Sequence, residues 1–254
     1  MSTVTRDKHK HESEISKVLF ISQIKHLLVL ENFSKKLKVY NYINGNLLHA
    51  FEAHSSSLIS AEFMSGQNVV ITSGSDNALK FWDTTKNYQL MVKIPTKEIQ
   101  LVLRWVESKK MLLTGGFDCV INCYKKLEFE EKGKLKNNID MVSMKAKHTQ
   151  MITDILVIEQ NNVIISCDLA GVIYLWNLIT LEDKRPLGSH NKGCLCLSYL
   201  ESKNLLLSTG YEHQVYVWDQ KMHLVSQKQP MMIIHLWREI KGLHIIVTIK
   251  STKV

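Results

Sequence analysis

The stretch TSGSDNALKFWD spans residues 72–83. It holds a hydroxyl at Thr72, an acid at Asp76 and an alternating apolar run that ends in Trp82 and Asp83. Upstream, His54 completes a set of hydroxyl, imidazole and carboxylate. Such a set reads either as the working end of a hydrolase or as part of a frame. Geometry and the role of each member identify a catalytic group, not composition. An active site occurs once in a chain, so recurrence decides between the two.

The set recurs. Tyr40, Trp82, Tyr124, Trp176 and Trp218 each end a similar run: LKVY, LKFW, INCY, IYLW and VYVW. They stand 42, 42, 52 and 42 residues apart. Ten residues before the aromatic lie Thr72, Thr114, Ser166 and Ser208. Six before it lie Asp76, Asp118, Ala170 and Glu212, and twenty-eight before it His54, Thr96, His148 and His190. The long interval contains a charged insertion over 126–147, richer in lysine than in acid.

Between these columns the pattern is that of β-structure. Apolar runs precede the hydroxyl (VVIT, MLLT, VIIS, LLLS), and alternating runs precede the aromatic. Runs of this length, rich in Val, Ile, Leu and aromatics and bounded by polar turns, read as strands. MSGQN, VESKK, IEQNN and LESKN recur at one place in each unit and suit tight hairpins. The three prolines fall between units, where no ladder donor is needed. Four strands in a unit of this length point to a propeller blade.

On these residues the chain resembles the WD40 repeat family: His54, Thr72, Asp76 and Trp82-Asp83; His148, Ser166 and Trp176-Asn177; His190, Ser208, Glu212 and Trp218-Asp219. The resemblance implies an all-β fold, a WD40-type β-propeller of about five blades and an incomplete sixth. It also implies that histidine, hydroxyl, acid and tryptophan of a blade are joined by hydrogen bonds. Thr114, Asp118 and Tyr124 form a partial set with Thr96 at the histidine place. Ala170 removes the acid of its blade, with Asp168 two residues earlier. The first unit has Leu30, Ser34 and Tyr40 in these columns. The blade of Trp82 is therefore expected to be the best locked and the first the least. LLLSTGYEHQVYVWD at 205–219 further resembles WD-repeat proteins of motile cilia that are often joined to EF-hands. The chain itself has no D-x-D-x-D-G calcium loop.

Composition bounds the rest. The chain has 254 residues, 45% of them apolar, enough for a sizeable core. No apolar run is long enough for a transmembrane helix, and MSTVTRDKHKHESE has no apolar signal region. Residues 1–14 are expected to be a disordered polar tail, 15–254 the propeller, and the setting cytoplasmic. The five cysteines form no C-x-x-C pair and suggest free thiols rather than zinc ligands. No phosphate loop, H-E-x-x-H or G-x-S-x-G motif occurs. No catalytic residue, cofactor, metal, membrane or small-molecule substrate is expected.

The function that follows is a non-catalytic scaffold binding other proteins, with a ciliary or cytoskeletal setting implied by the second resemblance. Phe117 and Tyr211 precede the acid column, and on family-like blades they project near exposed turns as candidate anchors. The alternative is a basic module for an acidic partner, a microtubule or nucleic acid. The net charge of +8 allows it. The lysines are dispersed, however, and lack the interleaved aromatics of a nucleic-acid site. The last unit reaches MMIIHLW and HIIVTIKSTKV, where Thr248 fits the hydroxyl column. A chain ending there stops inside a blade, so truncation or completion by another chain is expected.

Overall fold

The computed structural model describes residues 11–127, 129, 140–143, 148–182, 185–219, 224–228, 234–240 and 243–249. Among them the regular elements are β-strands and short 3-10 turns. No helix among the described residues is long and apolar enough to cross a membrane.

The first sheet is β1 (Ile15–Ile21), β2 (His26–Glu31), β3 (Lys36–Asn41) and β4 (Leu47–Glu52). The second is β5 (Leu58–Met64), β6 (Val69–Gly74), β7 (Ala78–Asp83) and β8 (Gln89–Pro95). The third is β9 (Gln100–Val106), β10 (Met111–Gly116), β11 (Asn122–Lys125) and β12 (Asp140–Ser143). The fourth is β13 (Ile152–Ile158), β14 (Val163–Asp168), β15 (Val172–Asn177) and β16 (Arg185–Ser189). The fifth is β17 (Cys194–Leu200), β18 (Leu205–Gly210), β19 (Val215–Trp218) and β20 (Leu224–Lys228), and β21 (Ile234–Ile240) pairs with β22 (Leu243–Ile249). In each four-stranded sheet the spatial order follows the chain order. These are the five blades of a WD40-type β-propeller fold, with two strands of a sixth.

One expectation needs revision. Asp140–Ser143, assigned to a charged insertion between blades, forms the outer strand of the third blade. A meander needs a fourth strand, and this stretch supplies it. Leu127, also in the insertion, is fully buried beside Phe81 and Leu112. Residues 128, 130–139 and 144–147, like 1–10, lie outside the described residues.

The chain divides into two compact units, 1–112 with 124–141, and 113–123 with 142–254. In the first unit, Leu28, Leu30, Leu37 and Val39 of the first blade pack with Leu58, Val70 and Trp82 of the second. A second cluster joins Ile71, Leu79 and Phe81 to Leu103, Leu112 and Tyr124. In the second unit, Ile165, Ile173 and Leu175 of the fourth blade pack with Leu197, Leu206 and Trp218 of the fifth. Burial explains the sequence pattern. Every residue of β6 and β10 is buried, which is why VVIT and MLLT read as unbroken apolar runs. The outer strand β4 alternates between exposed and half-buried positions.

The hairpins share one design. A 3-10 turn ends in a left-handed residue at Asn68, Lys110, Asn162 and Asn204, with φ of 54°, 48°, 53° and 52°. Asparagine tolerates that conformation better than most residues, which accounts for three of the four. The next turn, between the second and third strands, touches the following blade. The backbone N–H groups of His54, Thr96, His148 and His190 donate to the carbonyls of Lys35, Asn77, Cys119 and Gly171, at 3.4, 2.8, 2.8 and 3.0 Å. Each histidine column is thus held by its backbone to the blade before it. Gly171 has φ +96°, and a Cβ there would lie 2.4 Å from the His190 carbonyl oxygen. Gly171→Ala is expected to lower stability by about 1–3 kcal/mol through backbone strain and loss of this contact. Urea unfolding measures it, and an unchanged midpoint would contradict the requirement for glycine.

Candidate functional site

The register of β6 against β7 explains the spacing of the opening motif. Val70 pairs with Trp82, and Thr72 pairs with Lys80. Thr72 and Trp82 are therefore diagonal neighbours on one face, within reach of each other. The Trp82 indole N–H donates to Thr72 Oγ1 at 2.8 Å. His54 Nε2 lies 2.8 Å from the same hydroxyl, and Nδ1 lies 2.7 Å from Asp76 Oδ1. A carboxylate only accepts, so Nδ1 carries the proton. Nε2 then accepts from the Thr72 hydroxyl, whose oxygen accepts from the indole. Ser55 closes the chain, its N–H and hydroxyl donating to Asp76 Oδ2 at 3.1 and 3.0 Å. Gly74 leaves the room: a Cβ there would sit 2.4 Å from His54 Nδ1.

The second unit repeats this brace twice. In the fifth blade, Trp218 Nε1 donates to Ser208 Oγ at 2.9 Å and His190 Nε2 lies 2.8 Å from that oxygen. His190 Nδ1 donates to Glu212 Oε1. In the fourth, Trp176 Nε1 donates to Ser166 Oγ at 2.7 Å, and His148 Nε2 lies 2.6 Å from it. Ala170 leaves no acid in the expected column. Asp168 replaces it, accepting from His148 Nδ1 at 3.0 Å, from the Thr149 hydroxyl and from the Val172 N–H. Asp168 stands two residues after the hydroxyl, where Gly74 and Gly210 stand in their blades. The acid has moved into the glycine position and still meets the imidazole.

The first blade uses the same solution, hidden by one residue. Val29 pairs with Lys38, and Leu27 with Tyr40. The hairpin is one residue longer than that of the second blade, so Val29, not Leu30, occupies the hydroxyl place. Two residues on, Glu31 occupies the place of Asp168, and eighteen residues before Val29 is His11. His11 Nδ1 lies 2.5 Å from Glu31 Oε1, and Lys38 Nζ donates to the same oxygen at 2.7 Å. Residues 11–14, expected in the tail, thus meet β2; Ser13 Oγ also donates to the Asn32 carbonyl at 2.8 Å. The third blade has no imidazole. Thr96 fills its place with a buried hydroxyl that has no hydrogen-bond partner among the described residues. Thr114 is buried, Tyr124 packs in the first unit's core, and Asp118 accepts from Asn122 Nδ2 at 2.7 Å.

The bonding order of His54, Thr72 and Asp76 is also that of a hydrolase triad, but access differs. Thr72 is 0% exposed, and its oxygen already accepts from Trp82. No substrate carbonyl can reach it in this arrangement. Burial lowers the pKa of His54 and of His190, against the upward pull of Asp76 and Glu212. Burial alone would raise Asp76. The hydrogen bonds from His54 and Ser55 and the charge of His54 outweigh it and hold the carboxyl at about 2.

Carboxylate length separates the blades. Both oxygens of Asp76 and of Asp168 accept hydrogen bonds. In Glu31 and Glu212, Oε1 is paired while Oε2 is buried with no hydrogen-bond partner among the described residues.

Outside the brace, the turns between second and third strands carry exposed aromatics. Phe117 is 49% exposed and Tyr211 51%. Phe33, missed by the sequence reading, is 91% exposed at φ +60°. It sits in the lengthened turn of the first blade. Its signal was the irregular first unit itself, since an extra residue in a hairpin must loop outwards. Tyr211 and Leu169 both flank Gly193, where an added Cβ would lie about 3 Å from Leu169 Cδ1 and Tyr211 Cδ2.

Two outcomes follow for the brace. Glu212→Asp is expected to raise the melting temperature by drawing the carboxylate back to where both oxygens can accept, as in Asp76, and Asp76→Glu to lower it, each by the equivalent of about 1 kcal/mol. Thermal unfolding of the two variants checks this; shifts of equal sign would contradict it. The second outcome concerns acid. A histidine whose pKa is lowered by folding resists protonation, so its contribution is present above the unfolded value of 6.5 and lost as pH falls below it. Asp76 contributes above its unfolded value of 3.8, and that part is lost as pH falls towards 2. Stability against pH is expected to fall in these two windows, and His54→Gln with His190→Gln to flatten the upper one.

Comparison with known proteins agrees with this geometry. The sequence profile of the WD domain, G-beta repeat, matches residues 45–83 and 182–219. Those segments hold the outer strand of one blade and the inner three of the next. Cilia- and flagella-associated protein 337 B of Tetrahymena thermophila is 25% identical over 162 residues, 59% of this chain and 12% of that protein. COMPASS component SWD3 of Saccharomyces cerevisiae is 25% identical over 221 residues, covering 78% of this chain and 69% of its own. The chain thus spans only a small part of the first of these relatives. The crystal structure of the computationally designed Ika8 protein superposes with a TM-score of 0.65 at 18% identity, over 86% of this chain and 63% of that one, a likeness of fold. Two segments of this chain are thus similar to the WD40 repeat, and the fourth blade repeats the register of the second and fifth.

Proposed function

We propose that this chain is a non-catalytic scaffold that binds other proteins through the turns between its second and third strands, with Phe33 as an anchor of the first unit and Phe117 and Tyr211 as anchors of the second. The observation that carries the reading is that three large aromatics stand about half exposed or more on turns between the second and third strands. Exposed aromatics on rigid turns are the residues that most often dominate protein interfaces. The WD40 repeats and the WD-repeat relatives support an interaction role. The buried Thr72 supports the absence of hydrolase chemistry. A ciliary setting is supported by the similarity to the Tetrahymena protein and by residues 205–219. A tagged chain excluded from cilia would remove that setting without touching the binding role.

The triple variant Phe33→Ala, Phe117→Ala, Tyr211→Ala is expected to keep its fold and far-ultraviolet circular dichroism, because all three side chains lie outside the buried core clusters. Affinity capture from cell extract, compared by mass spectrometry with the unmodified chain, is expected to lose one or more proteins. Identical capture would overturn the anchor role. Loss of folding would show instead that the three side chains pack internally.

A further inference from the structure

The turn between β3 and β4 carries chemistry that neither the brace nor the interaction surface uses. It reads Asn41-Tyr-Ile-Asn44-Gly45-Asn46. Asn44 is exposed, as is Ile43. The turn is closed by two backbone bonds, from the Asn41 N–H to the Asn46 carbonyl and from the Gly45 N–H to the Asn41 carbonyl, both 2.8 Å. Asn44 Oδ1 accepts from the Asn46 N–H at 3.0 Å. A side chain that reaches forward to the N–H two residues on must curl over the intervening peptide. That bond holds the Asn44 carboxamide against its own turn, on the chain side of the Gly45 peptide, and polarises its carbon. Gly45 has φ +76°, and nothing lies within 4 Å of the place a Cβ would take. The nitrogen has no side chain to shield it. Asparagines in the other turns precede bulkier residues: Asn68 precedes Val69, Asn87 precedes Tyr88, Asn162 precedes Val163 and Asn204 precedes Leu205.

We propose that Asn44 is a modification site, converted in the folded chain to aspartate and isoaspartate through a cyclic imide with Gly45. The Gly45 nitrogen, once released from the Asn41 carbonyl and deprotonated, attacks Asn44 Cγ. A C–N bond forms to the main-chain nitrogen. The bond from Cγ to the side-chain nitrogen breaks, and that nitrogen leaves as ammonia with the proton taken from Gly45. Water then opens the imide. Attack at the former side-chain carbonyl gives aspartate, and attack at the main-chain carbonyl gives isoaspartate. No oxidant, reductant or enzyme enters the balance. Either product places a new negative charge beside Ile43, Leu47 and Leu48, which are exposed at the start of β4. Isoaspartate also lengthens the backbone by one atom inside the closed turn, which must disturb the Asn41–Asn46 pair. The first blade's outer edge would thus change charge and register with the age of the molecule.

The test incubates the intact purified chain at mildly alkaline pH, digests it and follows each asparagine peptide by mass spectrometry. The peptide holding Asn44 is expected to gain the mass of an amide-to-acid change before any other, and to accept methyl label from an isoaspartyl methyltransferase. Gly45→Ala and Asn44→Gln are each expected to abolish both signals, the second without altering the turn's glycine. Conversion no faster than at Asn87 or Asn204 would overturn the proposal. So would conversion confined to the urea-unfolded chain, since the folded turn is then protective.

Discussion

A buried imidazole must satisfy both of its nitrogens, and much else in this chain follows from that constraint. An unpaired polar group in the interior costs about 1–3 kcal/mol, comparable with a sizeable part of a domain's stability. In the second, fourth and fifth blades one nitrogen meets a hydroxyl and the other a carboxylate. The hydroxyl in turn needs the indole, which fixes the diagonal register of the two central strands. The acid needs a place beside the imidazole, which excludes a side chain at Gly74 and Gly210. Because the histidine's backbone donates to the turn of the blade before it, one residue sets the position of two blades.

The fold was legible in the sequence because the brace is periodic. A constant spacing between hydroxyl and aromatic is the signature of a fixed hairpin register, and it survived substitution of Tyr for Trp. What stayed hidden were the places where geometry conserves a contact while changing the count. In the first blade a hairpin longer by one residue moved the grid, so Leu30 and Ser34 stood where Val29 and Glu31 act. His11 then read as tail. In the fourth blade the acid comes from Asp168, and a reading by column saw only Ala170. Ser55 and Thr149, which also bond the acids, follow their histidines directly and could have been found from that adjacency alone.

The outer strand of the third blade was obscured for a different reason. Its four residues lie inside a lysine-rich stretch, and an edge strand with one neighbour needs little apolar pattern to form. The exposed aromatics were partly legible. Phe117 and Tyr211 follow from their column, whereas Phe33 depends on the lengthened turn. A frame held by internal hydrogen bonds leaves its turns free to vary in length and chemistry. That freedom links the structural reading of His54, Thr72 and Asp76 to the proposed interaction surface: braces of this kind fix the turns on which the proposed anchors stand.

The most direct test of this account is a double-mutant cycle on the second blade, using Asp76→Ala, Trp82→Phe and the combination, read by urea unfolding. Asp76 and Trp82 do not bond each other; they communicate through His54 and Thr72. If the four act as one brace, each single variant lowers stability by about 1–3 kcal/mol and the double costs clearly less than the sum. Strictly additive losses would contradict it, leaving independent hydrogen bonds that merely recur.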